Sequence, residues 1–399
     1  MAEILLTGIG ELVTNAGASA DGVAMERHRA VAIAGGRIEW FGPIAEVPTA
    51  MRDRETIDCE GRAVTPGFVD SHTHLVFAGD RSDEFQRRLE GESYEDILAA
   101  GGGIHSTVAA TTAATTGELT RISVARAMRM LGHGTTTVEI KSGYGLETAA
   151  EARMLEVAAE VERTTPLDVV RTFLGAHVVP PGTSSQEYVR HIIDEMLPAC
   201  APLASACDVF CDAGAFAVDE ARMVLAAARD RGLSLHLHAE QLSHTGAARL
   251  AAEMRAASAD HLDHATVADA EGLAEAGTVA VLIPGASMSA GSRKPPARML
   301  LDGGATVAIA TDCNPGTSNI ESMPLVVALA VHDLGLTPAE ATRAATLGGA
   351  AALGMTDRGR VAVGAVADLV VFDAPSHVDL SYRPGSVEPW QVLKGGVAV

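Results

Sequence analysis

The sequence predicts an α/β protein, a (β/α)8 TIM-like barrel carrying a small β-sandwich-like domain made from its N- and C-terminal segments. Three observations predict it. Between Ala63 and about Gly359, eight short apolar or β-branched runs alternate with Ala-rich stretches of helical period. Both flanks, 1–62 and 360–399, instead alternate short β-like runs with turns. No G-x-G-x-x-G turn follows the first run, although an open doubly wound sheet would normally show one.

The elements follow in chain order. The first flank holds ILLTGIGELVT, AVAIAGGRIEWFG and TIDCEGRAV. The last holds RVAVGAVADLVVFD and WQVLKGGVAV, with a second GG turn before a short apolar strand. The two read as halves of one small domain, 1–62 and 360–399, joined around an inserted barrel of 63–359. The barrel strands are AVTPGFVDSH, TTTVEI, DVVRTFLGAH, ACDVFC, LSLHLHA, ASADHL, TVAVLIP and TVAIATD. Segments such as EARMLEVAAEVER and DEARMVLAAARDRG separate them, with apolar residues at i, i+3 and i+4. Thr337, Pro338 and Glu340 supply an N-cap, an N1 proline and an N3 glutamate for a closing helix, TPAEATRAATLGGAAALG. Within the long segment 75–132, Gly101 to Gly103 read either as a lid hinge or as a helix C-cap and turn. No Lys follows these glycines, so they do not read as a phosphate cradle.

Composition narrows the partners. The chain of 399 residues has 51 acidic and 30 basic side chains and a formal charge of −21, which excludes nucleic acid and anionic membrane surfaces as partners. MAEILLTGIGELV lacks the cationic start of a secretory signal, and apolar stretches end at Pro or Gly well short of a membrane span. The five cysteines contain no C-x-x-C pair; Cys207 and Cys211, in ACDVFC, read as buried thiols. A soluble protein of the reducing cytoplasm is expected.

The chemistry centres on His72-Thr73-His74 at the end of the first strand. Residues i and i+2 of a strand share a face, so both imidazoles project into the barrel mouth. His238 in LHLHAEQ, His261 in SADHLDHA and Asp312 in AIATDCNPG each fall at the C-terminal end of a strand, where barrel enzymes build their sites. Imidazoles and a carboxylate gathered at one mouth can hold a divalent ion and leave room for water. His236, one layer deeper than His238, reads as a core histidine or as one that supports the ligands from behind. His244, His264, His28, His105, His133, His191, His332 and His377 read as solvated or capping.

PGFVDSHTHL, the later histidines and the final Asp together resemble the amidohydrolase superfamily. SHTHLVFAGDRSDEF, EIKSGYGLE, FLGAHVVPP, HLHAEQLS, SADHLDH and ATDCNPGTS are similar to the branch that opens 4-imidazolone-5-propanoate to N-formimidoyl-L-glutamate in histidine degradation. The resemblance implies one divalent metal per subunit, Zn or Fe, on His72, His74, His238 and Asp312. It also implies His261 as general base, with Asp312 shuttling a proton to the leaving nitrogen. Two-metal relatives use a carbamylated lysine, usually on the fourth strand; ACDVFCD has none, and Lys141 at the end of the second strand reads as a structural ion pair. Tyr144, His177, Asn314, Gly316 and Thr317 are implied substrate contacts, and Gln241 fills a position where some relatives carry Glu. The substrate propionate needs a local cation in so acidic a chain, and Arg81, seven residues beyond His74, can clamp it bidentately. A homodimer is implied. The rivals are a related deaminase or lactam hydrolase, and a ligand-binding protein on a decayed barrel; decay usually loses a ligand or the base, and all five residues are present.

Overall fold

The computed structural model describes residues 3–16, 24–92 and 102–399. Eight parallel strands, each hydrogen-bonded to the next in chain order, form the barrel wall: Phe68–Asp70, Thr135–Lys141, Asp168–Ala176, Ala206–Cys211, Ser234–Ala239, Ser258–His261, Val279–Leu282 and Val307–Ile309. Each expected run coincides with one of them, the second strand running one residue past TTTVEI to Lys141. The first run is divided at Gly67: Ala63–Pro66 pairs with Leu369–Phe372 in the small domain, while Phe68–Asp70 joins the barrel. Gly67 lies so close to Thr136 that a β-carbon would collide with its side chain.

The ring closes at the C-terminal mouth, beyond the formal strand ends. Thr73 and Cys313 form a parallel bridge. The Asp312 N–H donates to the His72 carbonyl at 2.9 Å, and the His74 N–H donates to the Cys313 carbonyl at 3.1 Å. Residues expected to carry the chemistry therefore also close the barrel. Deeper in the seam lies the helix begun at Thr337, whose capping box forms as expected. That helix is not regular throughout, because a π segment at Ala344–Gly348 separates Pro338–Arg343 from Gly349–Ala352. Gly348 and Gly349 press against the carbonyls of Val307 and Val69, and a side chain at either would strike them. The GG pair is thus a packing requirement of the seam between the first and last strands.

The helices bury one stripe against the wall. In Val218–Arg229 the buried residues are Ala221, Val224, Leu225 and Ala228, at the i, i+3, i+4, i+7 spacing of an amphipathic helix. The small domain has a four-stranded and a six-stranded sheet. Its core mixes both ends of the chain, with Leu6, Ile33 and Val64 packed among Leu369, Val371 and Leu393.

One polar tie between the chain ends departs from expectation. His377 is buried, with its ring Nδ1 2.6 Å from Glu11 and its backbone N–H donating to the same carboxylate at 2.8 Å. Burial opposes ionisation of Glu11, yet His377 holds its carboxyl below the usual range. A buried carboxylate in strand Glu11–Val13 needs such a partner, and that need overrides a solvated position for His377.

All five cysteines are free and buried, and burial pushes the Cys211 thiol up to about 12. Cys207 and Cys211 are therefore inert at neutral pH. Among the described residues no helix is long and apolar enough to cross a membrane.

Candidate active site

His72, His74, His238, His261 and Asp312 converge in the barrel mouth, none more than 3% exposed. Asp312 Oδ1 lies 3.5 Å from Nε2 of His72 and 3.5 Å from Nε2 of His74. Nε2 of His238 is 3.3 Å from Nε2 of His74. The His261 ring centroid stands 5.2 Å from that of His238 and 5.3 Å from that of His72. His261 has φ 75°, Leu262 φ 63° and Asp312 φ 51°. A non-glycine residue held there costs roughly 1–3 kcal/mol, so the surrounding packing forces the strand ends to turn at these positions.

Two carboxylates aim two of the rings. Asp260 Oδ2 is 2.6 Å from His72 Nδ1, and Asp208 Oδ2 is 3.0 Å from His238 Nδ1. A ring whose Nδ1 faces a carboxylate presents Nε2 as a lone pair. Burial drives His72, His74 and His261 well below the ordinary imidazole range, so they stand neutral at neutral pH. Burial likewise raises Asp312. Desolvation opposes the charge on Asp208, but His238 and Lys141 outweigh it and hold the carboxyl low.

This arrangement fits a divalent cation. The Nε2 atom of His72 is buried, has no hydrogen-bond partner among the described residues and faces Asp312. Separations of 3.3–3.5 Å match the edges of a tetrahedron whose metal bonds are about 2.0–2.2 Å. Buried in the same network are four carboxyl groups (Glu139, Asp208, Asp260 and Asp312) and one ammonium, Lys141; burial opposes ionisation of Glu139, Asp260 and Asp312, and a bound cation would favour their charged forms.

The expected substrate contacts surround this centre. The His177 ring stacks on His74 at 5.0 Å with 16° between planes, and its Nδ1 is 2.9 Å from the Gly143 carbonyl. Burial brings His177 down to about 3. Tyr144 is buried with its ring 5.7 Å from His74 and 5.3 Å from His177. Asn314 builds the loop beside Asp312: its Nδ2 donates to the Asp312 carbonyl at 2.6 Å, and its Oδ1 accepts from the N–H groups of Gly316 and Thr317, each at 2.8 Å. This turn holds Gly316 against the Arg81 guanidinium so closely that a β-carbon would strike Nη1. Arg81 Nε pairs with Glu84 at 2.8 Å. At Gln241 the structure fixes the backbone, whose N–H donates to Asp212 at 2.7 Å, while the residue stays half-buried.

His236 is buried one layer down with Nδ1 2.8 Å from Ser258 Oγ, as a core histidine should be. His244 is half exposed and 3.0 Å from Asp269. Of the glycines at 101–103, Gly101 lies outside the described residues; Gly103, at φ 78°, is the N-cap of helix Ile104–Ala113.

Sequence reasoning missed Asp208, Asp260 and Glu139. Their signal was a carboxylate inside an apolar strand run, a position that burial permits only with a partner. It also missed Asp263, two residues beyond His261, whose buried carboxyl is raised to about 8 by desolvation and by Asp212.

Residues 63–399 match the family model described as Amidohydrolase family. The chain belongs to the amidohydrolase family. It is 51% identical over 402 residues to the imidazolonepropionase of Salinispora arenicola, covering 100% of this chain and 99% of that protein. It is 46% identical over 406 residues to the imidazolonepropionase of Haloarcula marismortui, covering 100% and 96%. Within the family it therefore belongs with the imidazolonepropionases. Among solved structures, a triazine hydrolase variant superposes with a TM-score of 0.75 at 17% identity, covering 100% of this chain and 94% of that one. A zinc-bound adenosine deaminase from Xanthomonas campestris gives 0.70 at 22% identity, covering 100% and 92%. At these identities the structures speak for the fold alone.

Proposed function

We propose that this chain hydrolyses 4-imidazolone-5-propanoate to N-formimidoyl-L-glutamate in histidine degradation. The convergence of His72, His74, His238 and Asp312 beside a neutral His261 carries this reading, supported by full-length relatives named imidazolonepropionase. One divalent ion, zinc or iron, would be held by His72 Nε2, His74 Nε2, His238 Nε2 and Asp312. Bound there, such an ion lowers the pKa of its water to about 7 and polarises the ring carbonyl.

The protein's own groups do the rest. His261, neutral through burial, takes the proton of the attacking water as the water oxygen bonds to the ring carbonyl carbon. Asp312, as a carboxylate, takes the second proton of that water and passes it to the ring nitrogen as the bond between that nitrogen and the carbonyl carbon breaks, and His261 then releases its proton to solvent. The carbonyl carbon leaves as a carboxylate of the glutamate product, and the nitrogen keeps the formimidoyl group. Tyr144 and His177 wall the ring, Asn314 sets the Gly316–Thr317 backbone beside it, and Gln241 contacts the ring from the fifth strand end. Ring opening by purified, metal-analysed protein is the direct test; a fully loaded protein that leaves this substrate intact would favour a related deaminase or lactam hydrolase.

Arg81 binds the propionate. Its Nε is occupied by Glu84 while Nη1 faces the Gly316 backbone, so the guanidinium is held at the loop beside Asp312. Arg81→Ala is expected to lose about 2–3 kcal/mol of preference for the propionate ring over its neutral amide, read as the ratio of kcat/KM values. Arg81→Lys keeps the charge without the planar fork and should also be impaired. An unchanged ratio in the alanine variant would put the carboxylate elsewhere.

We also propose the division 1–62, 63–359 and 360–399, with strand Ala63–Pro66 shared into the sheet of the small domain, together with a cytoplasmic location and a homodimer. Sedimentation at micromolar concentration should report twice the 41.1 kDa chain mass, and a single species at the chain mass would remove the dimer.

A further inference from the structure

Lys141 ends the second barrel strand, and its ammonium is completely buried. It lies 2.7 Å from Glu139 Oε1, 2.8 Å from Asp208 Oδ2 and 3.7 Å from Asp260 Oδ2. Each carboxylate leads to a different part of the site. Asp208 faces Nδ1 of His238 and accepts from the His238 backbone N–H at 3.2 Å. Asp260 faces Nδ1 of His72 and is braced by the Ser258 hydroxyl, which donates to it at 2.6 Å. Glu139 Oε2 accepts from the backbone N–H of Thr73, the residue between His72 and His74, at 3.1 Å.

We propose that Lys141 is the positioning residue of the metal centre: one fixed ammonium ties together the three carboxylates that hold His72, the Thr73 backbone and His238 in place. The proposal rests on the reading of His72, His74 and His238 as ligands. Carboxyl groups crowded at full burial are costly to ionise together, and a single cation hydrogen-bonded among them offsets that cost and fixes them as a rigid frame. The cation comes from strand two and its carboxylates from strands two, four and six, so one side chain sets the mutual distance of ligands on strands one and five. The role also excludes carbamate formation, which needs a free amine: this nitrogen is surrounded by carboxylates and held as an ammonium.

The test uses cobalt(II) as the probe metal, because its visible spectrum reports ligand geometry. Lys141→Met is expected to weaken cobalt binding by roughly the 10–100-fold typical of losing an outer support, measured by chelator competition, and to change the visible bands. A lysine that merely stabilises the fold would lower the melting temperature and leave the bands of the folded protein unchanged. A folded Lys141→Met protein with unaltered affinity and bands overturns the proposal. If that variant does not fold, Lys141→Met/Glu139→Gln removes ammonium and carboxylate together, and the same outcomes apply. The unmutated protein gives an independent arm: it should saturate at one cobalt per chain whether or not bicarbonate is present. Saturation at two, promoted by bicarbonate, would make Lys141 a bridging ligand and also overturn the proposal. An unmutated protein that binds no cobalt at all would instead refute the ligand reading beneath it.

Discussion

His261→Asn is expected to keep its metal and to lose about 10²–10⁴-fold in ring-opening rate, the range for removing a general base. The His261 ring is buried, its Nδ1 has no hydrogen-bond partner among the described residues, and burial keeps it neutral and able to accept a proton. Asparagine preserves polarity and approximate size while offering no basic nitrogen near neutral pH. The measurement pairs kcat with metal content on the same preparation, because the geometry leaves a real alternative: His72, His238 and His261 each present a ring nitrogen within 4.8 Å of the others. Metal lost together with activity would make His261 a ligand and reassign the base.

How much of this site was legible follows from what local spacing encodes. H-x-H on a strand fixes two imidazoles on one face, and a histidine or aspartate closing a strand run lies at the mouth whatever the detailed register. Those two facts reach His72, His74, His238, His261 and Asp312. They do not reach Asp208 or Asp260, whose roles depend on pairing between strands. Asp208 stands level with His236, and Asp260 level with His238. Each carboxylate serves an imidazole from another strand, a relation that no spacing within one run contains. The break at Gly67 was hidden for a similar reason. AVTPGFVDSH is a single β-branched run, and only the approach of Thr136 and the pairing with Leu369–Phe372 divide it between two sheets. His377 was misread because its partner Glu11 lies at the other end of the chain.

His74→Ala should abolish stoichiometric metal binding, and turnover with it, a loss exceeding the roughly 10²–10⁴-fold expected for the base. Among the three imidazoles this one gives the cleanest test. Truncating His72 or His238 would also strand Asp260 or Asp208 as a buried carboxylate without its ring partner, which adds a folding cost to any loss of metal. Among the described residues His74 has no such dependent: its ring stacks on His177, and its Nε2 faces His238 and Asp312. The variant should therefore remain folded while presenting two imidazoles and a carboxylate, one donor short of a closed N3O set. Linkage supplies a second readout. Metal at 100 times its dissociation constant stabilises a native state by about 2.7 kcal/mol, so adding a chelator should lower the melting temperature of the unmutated protein and leave that of His74→Ala unmoved. A variant with a full equivalent of metal, a chelator-sensitive melting temperature and unreduced turnover would show that the cation sits on other donors. The triad of His72, His238 and His261 would then be the site to examine, and the general base would have to be sought elsewhere in the mouth.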